Sequence, residues 1–137
     1  MAGKEETPQV CIEDVKLGKV WDPKACKDVP GWAAASLEKG LGNGVKVVRS
    51  KPKQGFVVLA TIDPLDYDEK KGELSGKMSA FLTDADKAAK ANVNGKASLK
   101  GVDAASLQKK LQKLTEAMAE KCGKDVADEI KDLAAEK

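Results

Sequence analysis

The chain has 137 residues, of which 42% are apolar and 34% charged, and its formal net charge is +2. That length suits one domain with a real core, while the balanced charge and the single arginine, Arg49, disfavour a specialist nucleic-acid-binding protein. The sequence has no histidine, which removes the usual general base near neutral pH and the usual metal ligand. We therefore predict no catalytic residue, no metal site and no cofactor.

The N-terminal part of the sequence predicts a leader, an extended segment and a helix. Residues 1–9 are polar and predict a disordered leader, so a single domain is expected over residues 10–137. Residues 10–27 show no dominant period and predict a short extended segment or edge strand. A helix over residues 29–41 follows, because Ala33, Leu37 and Leu41 recur every four residues before a run of glycines.

Period-two patterns then predict four strands, over residues 45–50, 55–63, 73–84 and 90–101. The second of these is apolar on both sides and predicts a central strand. The last two alternate apolar and polar residues, so each is expected to have one buried and one solvated face. The connections between the last three strands are short, which favours hairpins and an antiparallel meander.

The C-terminal tail, residues 103–136, predicts a helix with Asp103 as its N-cap. Its apolar residues form two stripes that differ by about a quarter turn, with Gly123 between them. The tail is therefore expected either to kink near Gly123 or to break into two helices. A boundary is favoured, because glycine inside a helix costs about 1 kcal/mol relative to alanine.

These elements predict an α+β fold of two layers. An antiparallel sheet of about four strands, with residues 10–27 as an additional edge strand in one version, would carry the N-terminal helix and the long or broken C-terminal helix on one face. The order of elements resembles that of the small α/β modules of envelope lipoproteins and Tol-type periplasmic proteins. This is a resemblance of topology, and no motif is shared.

An acidic stretch over residues 61–76, "TIDPLDYDEKKGELSG", raises the question of calcium binding. In a calcium loop of EF-hand type that starts at Asp66, position six would be Lys71 and position twelve Lys77, where glycine and glutamate are required. A start at Asp63 places Leu65 at position three. Both registers fail, so the stretch predicts a hairpin turn.

Three cysteines, Cys11, Cys26 and Cys122, lie far apart in the sequence, without a C-x-x-C motif. One interpretation is three small buried side chains. The other is one disulfide, Cys26–Cys122 or Cys11–Cys26, plus a free thiol, which would indicate an oxidising compartment. A catalytic thiol is disfavoured, because no histidine is present to activate it.

The solvated face of the last two strands is the candidate interaction surface. If both helices cover the opposite face, this one stays open, with Phe81 as its one large apolar side chain. Lysines supply charge, and an open antiparallel face also exists without any function. The candidate residues are Lys77, Ser79, Phe81, Asn92, Asn94, Lys96 and Lys100.

Three functional hypotheses follow from these patterns. The first is a non-catalytic protein-interaction or scaffold domain, exported to a bacterial cell envelope or periplasm, whose open face binds a protein, or else a glycan or cell-wall component. The alternative is a cytoplasmic nucleic-acid-binding module of helix–strands–helix type, which the balanced charge disfavours. An enzyme or metal protein is the least favoured, and no membrane span is predicted.

Overall fold

The structure, a computed structural model, describes residues 8–42, 45–48, 55–84, 86 and 88–135. These residues form five strands and two helices. In chain order they are β1 (Gln9–Leu17), α1 (Val29–Leu41), β2 (Lys46–Val48), β3 (Phe56–Asp68), β4 (Glu73–Asp84), β5 (Ala89–Leu99) and α2 (Leu107–Ala135).

The sheet has five strands in the order β2-β1-β3-β4-β5. Strands β3, β4 and β5 form the predicted antiparallel meander. Both helices pack on one face, α1 over β1 and α2 over β4 and β5, and the helices pack against each other. The predicted two-layer α+β sandwich is therefore confirmed, with five strands where about four were expected.

Strand β1 differs from its prediction as an edge strand, because it lies inside the sheet and pairs in parallel with both β2 and β3. Helix α1 connects β1 to β2 and returns the chain to the same end of the sheet, as parallel strands require. The backbone N–H of Lys46 donates a hydrogen bond of 2.8 Å to the carbonyl of Pro8. Regular structure is therefore present before residue 10, where the domain was expected to start. Residues 1–7 of the predicted leader lie outside the described residues.

The acidic stretch is the end of β3 followed by a tight turn, as the hairpin interpretation predicted. Strand β3 continues past its expected end to Asp68, with a register shift between Ile62 and Leu65. Pro64 lies in that irregular segment, where a residue without an N–H costs no ladder hydrogen bond. The carboxylate of Asp68 accepts a hydrogen bond of 3.1 Å from the N–H of Lys71, and Gly72 adopts a positive φ of 62°. The acidic side chain thus stabilises the turn.

The core fills the space between the helices and one face of the sheet. Strands contribute Val10, Val58, Ile62, Leu74, Met78 and Leu82, and helices contribute Leu37, Leu111, Leu114, Met118 and Ile130. Two glycines on this face let α2 approach the sheet. A Cβ on Gly76 would lie 2.7 Å from Leu65 and 3.5 Å from Met118, and one on Gly95 would lie 3.0 Å from the sulfur of Cys122.

Helix α1 has the predicted bounds, and helix α2 differs from its prediction at two points. α2 begins at Leu107 and not at Asp103, whose carboxylate accepts a 2.8 Å hydrogen bond from the N–H of Ser106 in the preceding turn. The helix also continues through Gly123 without a break. Gly123 is the point at which α2 touches α1, so tertiary packing offsets the intrinsic cost of glycine.

No described helix combines the length and the apolar character that a membrane-spanning segment needs.

Candidate interaction surface

Strands β4 and β5 turn the predicted polar residues away from the helices. On β4, the alternating residues from Leu74 to Leu82 are buried, while Ser75, Lys77, Ser79 and Phe81 are partly or fully exposed. On β5, Asn92, Asn94 and Lys96 are exposed, and Gly95 is buried against α2. No described helix or strand lies over this face, which we call the open face. The predicted assignment of faces on these two strands is thus confirmed.

The sheet register places the side chains of the open face in rows. Direct partners across the β4–β5 ladder are Ser75 with Ser98, Lys77 with Lys96, Ser79 with Asn94, and Phe81 with Asn92. Direct partners have Cβ atoms about 4.5–5.5 Å apart. Six of the predicted site residues therefore lie in three adjacent rows, and Lys100, beyond the end of β5, is exposed as well.

Two lysines of like charge face each other at the centre of this ladder. Lys77 and Lys96 are both exposed, and neither has an ion pair with any residue that the structure describes. A shallow hollow of about 590 Å³ lies at this row, lined by Pro64, Ser75, Gly76, Lys77, Lys96, Ala97 and Ser98. The site is open to solvent and rich in hydrogen-bond donors.

The open face also has an apolar part. It includes β3, whereas the surface predicted from the sequence included only β4 and β5. Leu59 of β3 is the direct partner of Phe81, and the two side chains share the open face. Cys11 and Val57 are direct partners in the β1–β3 ladder on the same side of the sheet. Both are buried and lie outside the main core cluster, so the solvent-accessible apolar part on β3 and β4 is limited to Leu59 and Phe81. The apolar run on both sides of β3 was the sequence signal for this patch.

Phe81 is the one exposed large apolar side chain in the described part of the chain, with an exposed fraction of 41%. It stands at the boundary between the apolar patch and the polar rows, beside Leu59 on one strand and Asn92 on the other. A partly exposed aromatic side chain at such a boundary is typical of an anchor residue.

Acidic side chains lie on the β3 side of the open face. Asp66 is the direct partner of Ser75, and Asp14 of β1 is the direct partner of Leu59. Asp63 packs against the backbone of Gly18, where a Cβ would overlap its carboxylate. The positive charge of the open face is therefore concentrated toward β5.

The acidic turns do not form a cation site in the structure as described. No group of three or more potential ligands lies together among the described residues. In the turn after β4, the carboxylate of Asp84 accepts hydrogen bonds of 2.9 Å from the N–H groups of Asp86 and Ala88, and Lys90 lies 3.6 Å away. The Ala88 hydrogen bond is the largest cause that lowers the pKa of Asp84. This side chain fixes a turn.

The three cysteines are free thiols and all three are buried. This agrees with the interpretation as small buried side chains, and neither Cys26–Cys122 nor Cys11–Cys26 is formed. Burial raises the pKa of Cys26 to about 11, with a further contribution from Asp22, and burial likewise raises the pKa of Cys122 to about 11. The thiol of Cys122 lies 3.9 Å from the carbonyl oxygen of Met78. Such protonated, enclosed thiols are poor nucleophiles.

No protein-family model matches the sequence, and no curated protein matches it. Solved structures do share its fold. The hypothetical protein CT253 from Chlamydia trachomatis matches with a TM-score of 0.65 at 11% identity, covering 91% of this chain and 98% of that one. The PelC dodecamer from Paraburkholderia phytofirmans matches with a TM-score of 0.56 at 15% identity, covering 86% of this chain and 85% of that one.

A weaker likeness is to Lipoprotein GNA1162 from Neisseria meningitidis, with a TM-score of 0.49 at 11% identity, covering 76% of this chain and 92% of that one. At this level of similarity the match carries no conclusion about this chain. The two stronger likenesses show a shared α+β fold in bacterial proteins, and a shared fold does not by itself indicate a shared function.

Proposed function

We propose that this chain is a non-catalytic binding module that takes a protein partner on its open face. The observation that carries the proposal is the placement of Phe81, which is 41% exposed beside Leu59 and next to three polar rows. Aromatic anchors surrounded by polar groups are the side chains that contribute most to protein–protein binding. The helices already fill the other face of the sheet, so of the two faces of the described sheet this one is left for a partner.

The absence of histidine from the sequence and the burial of all three thiols support a non-catalytic role. The remaining polar groups of the open face, serines, asparagines and lysines, are suited to donating hydrogen bonds to a ligand. They lie on a solvated sheet face, whereas catalytic and small-molecule sites are usually concave.

For the compartment, we propose export to a bacterial cell envelope, with the cytoplasm as the alternative. The Lys-, Ala- and Asp-rich composition and the strands rich in serine and asparagine motivate this proposal. The free cysteines add no support to it, since an oxidising compartment would be indicated by a disulfide. Fractionation of the source cells with an antibody against the chain tests it, and recovery with the soluble cytoplasmic markers would favour the alternative.

The binding role is tested by site-specific cross-linking in the source cells. A photoreactive amino acid at the position of Phe81 should capture one protein that the same group at Lys113, exposed on α2, does not capture. The captured protein is then purified and titrated against the wild-type chain and Phe81→Ala. We expect at least about tenfold weaker binding by Phe81→Ala, since truncated anchor residues cost about 2 kcal/mol or more.

Two results would contradict the proposal. One is equal capture at Phe81 and Lys113, which would show random encounters. The other is unchanged affinity of the purified partner for Phe81→Ala. Salt-dependent binding of double-stranded RNA by the wild-type chain, without a protein partner, would instead favour the nucleic-acid alternative.

A further inference from the structure

We infer that the Lys77–Lys96 row is a carboxylate-binding site, and that the protein partner presents an acidic, extended segment to it. This inference deepens the proposed function and depends on the open face being a protein-binding surface. The Lys77–Lys96 row would bind the acidic group of the partner, whereas Phe81 would contact an apolar side chain.

Side chains of β4 and β5 place hydrogen-bond donors around one point, which suits the binding of an anion. Lys77 and Lys96 are direct cross-strand partners, with the hydroxyls of Ser75 and Ser98 in the next row on one side. Ser79 and Asn94 form the row on the other side. Each of these six side chains donates hydrogen bonds, and none is acidic. A carboxylate over the central row would meet two ammonium groups and neighbouring hydroxyl donors, and charge-assisted hydrogen bonds are the stronger kind.

The free protein carries an unfavourable interaction at this row. Like charges directly opposite each other in an antiparallel ladder are destabilising, and no described acidic side chain forms an ion pair with Lys77 or Lys96. An anion bound between the two ammonium groups adds two attractions that offset this repulsion. Binding a neutral or cationic ligand would leave the repulsion in place.

The surrounding charges define the direction of approach. Asp66 stands beside Ser75 on the β3 side, and Asp63 lies against Gly18 on the same side of the row. Toward β5 the nearest charged group along the open face is Lys100, which is exposed. Glu73, at the start of β4 and two residues before Ser75, is a further acidic residue. An acidic segment is therefore attracted toward β5 and the Phe81 end of β4, and repelled from β3 and the Glu73 end of β4.

The combination with Phe81 favours a protein segment over an acidic glycan. Phe81 and Lys77 lie four residues apart on β4, on the same face, which corresponds to about 13 Å along an extended chain. A partner strand running along β4 presents residues four positions apart on one side at the same spacing. We therefore expect the partner segment to contain a large apolar residue and an acidic residue with three residues between them.

The test uses the full chain labelled with ¹⁵N and a nine-residue peptide, blocked at both ends. The peptide carries a leucine and, four positions later, a glutamate, with serine and threonine elsewhere. The control peptide has glutamine in place of the glutamate. We expect the glutamate peptide to shift the amide resonances of Ser75 to Ser79 and of Asn94 to Ser98, and to bind about tenfold more tightly than the glutamine peptide.

Matched variants separate the lysine pair from general charge. Lys77→Gln/Lys96→Gln should remove the preference for the glutamate peptide. Lys109→Gln/Lys113→Gln, which loses the same charge from two exposed positions on α2, should keep it. Both pairs of substitutions lie at exposed positions, so we expect both variants to fold, and their ¹⁵N spectra verify this.

Three outcomes overturn the inference. Equal binding of the two peptides would show that no carboxylate is recognised. Retained preference in Lys77→Gln/Lys96→Gln would place recognition elsewhere. Tighter binding of an oligogalacturonate than of the glutamate peptide at the same resonances would identify an acidic glycan as the ligand. None of these depends on the Phe81 cross-linking result, so a failed carboxylate site and a failed protein-binding surface are distinguishable.

Discussion

Gly40 of α1 and Gly123 of α2 lie directly against each other where the two helices cross. A Cβ added to Gly40 would lie 3.0 Å from the Cα of Gly123 and would overlap the carbonyl oxygen of Glu120. A Cβ added to Gly123 would lie 2.9 Å from the Cα of Gly40 and would overlap the carbonyl oxygen of Leu37. The helices therefore meet backbone to backbone at this crossing.

Gly123→Ala is expected to lower the free energy of unfolding although alanine is the better helix former. Overpacking a tight contact costs about 1–3 kcal/mol, which outweighs the gain of about 1 kcal/mol in helix propensity. The matched control is Gly31→Ala in α1, where a Cβ would meet nothing within 4 Å, so this substitution should stabilise. Urea denaturation of both variants checks the pair, and stabilisation by Gly123→Ala would refute the close crossing.

The same contact explains why α2 is one long helix and does not end at Gly123, the alternative that the sequence favoured. Within the sequence, the shift between the two apolar stripes and the cost of glycine both favoured a break. The glycine that packs against Gly123, Gly40, lies more than eighty residues earlier in the sequence. There it indicated only the glycine run that ends α1. Local patterns predicted α1, β4 and β5 correctly because their periodicity reflects a single buried face.

The position of β1 was not predictable from its own residues. Strand β1 has ladders on both sides and apolar residues on both faces, Val10 and Val15 on one and Cys11 on the other. Charged residues between them, Glu13 and Asp14, sit at a register shift and obscured the period. Parallel pairing depends on how α1 returns the chain, which is a tertiary property.

The polar residues of the open face were predictable, whereas the pairs that its residues form across the strands were not. Strict alternation on β4 and β5 identified the rows from Ser75 to Phe81 and from Asn92 to Ser98. The direct pairing of Lys77 with Lys96, and of Leu59 with Phe81, depends on strand register. Register is fixed by the hairpin turns and the bulge near Pro64, which sequence alternation alone does not define.

Thr115→Val is expected to stabilise the protein by about 1 kcal/mol. Thr115 in α2 is fully buried, and its hydroxyl has no hydrogen-bond partner in the described part of the structure. Valine has nearly the same shape and removes the buried unpaired polar group, whose desolvation costs about 1–3 kcal/mol. Thr115→Ser is the control, since it keeps the hydroxyl, loses a buried methyl and should destabilise. A lower melting temperature for Thr115→Val would show that the hydroxyl is satisfied.

Phe81→Ala and Met78→Ala test the assignment of the two faces of β4. Met78 is fully buried under α2 and Phe81 is 41% exposed on the open face. We expect Met78→Ala to cost about 2–5 kcal/mol of unfolding free energy and Phe81→Ala about 1 kcal/mol or less. Chemical denaturation measures both. An equal, large loss for the two variants would place Phe81 in a core and exclude it as an exposed anchor.

The buried thiols predict a fall in stability at alkaline pH. The folded-state pKa values of Cys26 and Cys122 are raised to about 11 from an ordinary value of about 9. The unfolded chain therefore ionises first, so the contribution of the protonated thiols is complete below about pH 9 and is lost as the pH rises toward 11. The measurement is made as a difference between two proteins, so that contributions common to both cancel. Urea curves at pH 8 and 10.5 should show a smaller fall for Cys26→Ala/Cys122→Ala than for the wild type, and equal falls would contradict the prediction.

Charge reversal at one lysine of the Lys77–Lys96 row should stabilise the free protein. Lys96→Glu replaces a repulsive cross-strand pair with an attractive one, which is worth about 0.2–1 kcal/mol. Lys77→Glu should gain less, because it brings a second carboxylate near Asp66, the partner of Ser75.

The double variant Lys77→Glu/Lys96→Glu closes a double-mutant cycle with these single variants. It restores a like-charge pair, so its unfolding free energy should return to the wild-type value or below. The coupling should also shrink between 0.01 M and 1 M salt, because exposed charges are screened. Additive effects of the two substitutions at low salt would show that the two side chains do not interact, and the basis for an anion held between them would be lost.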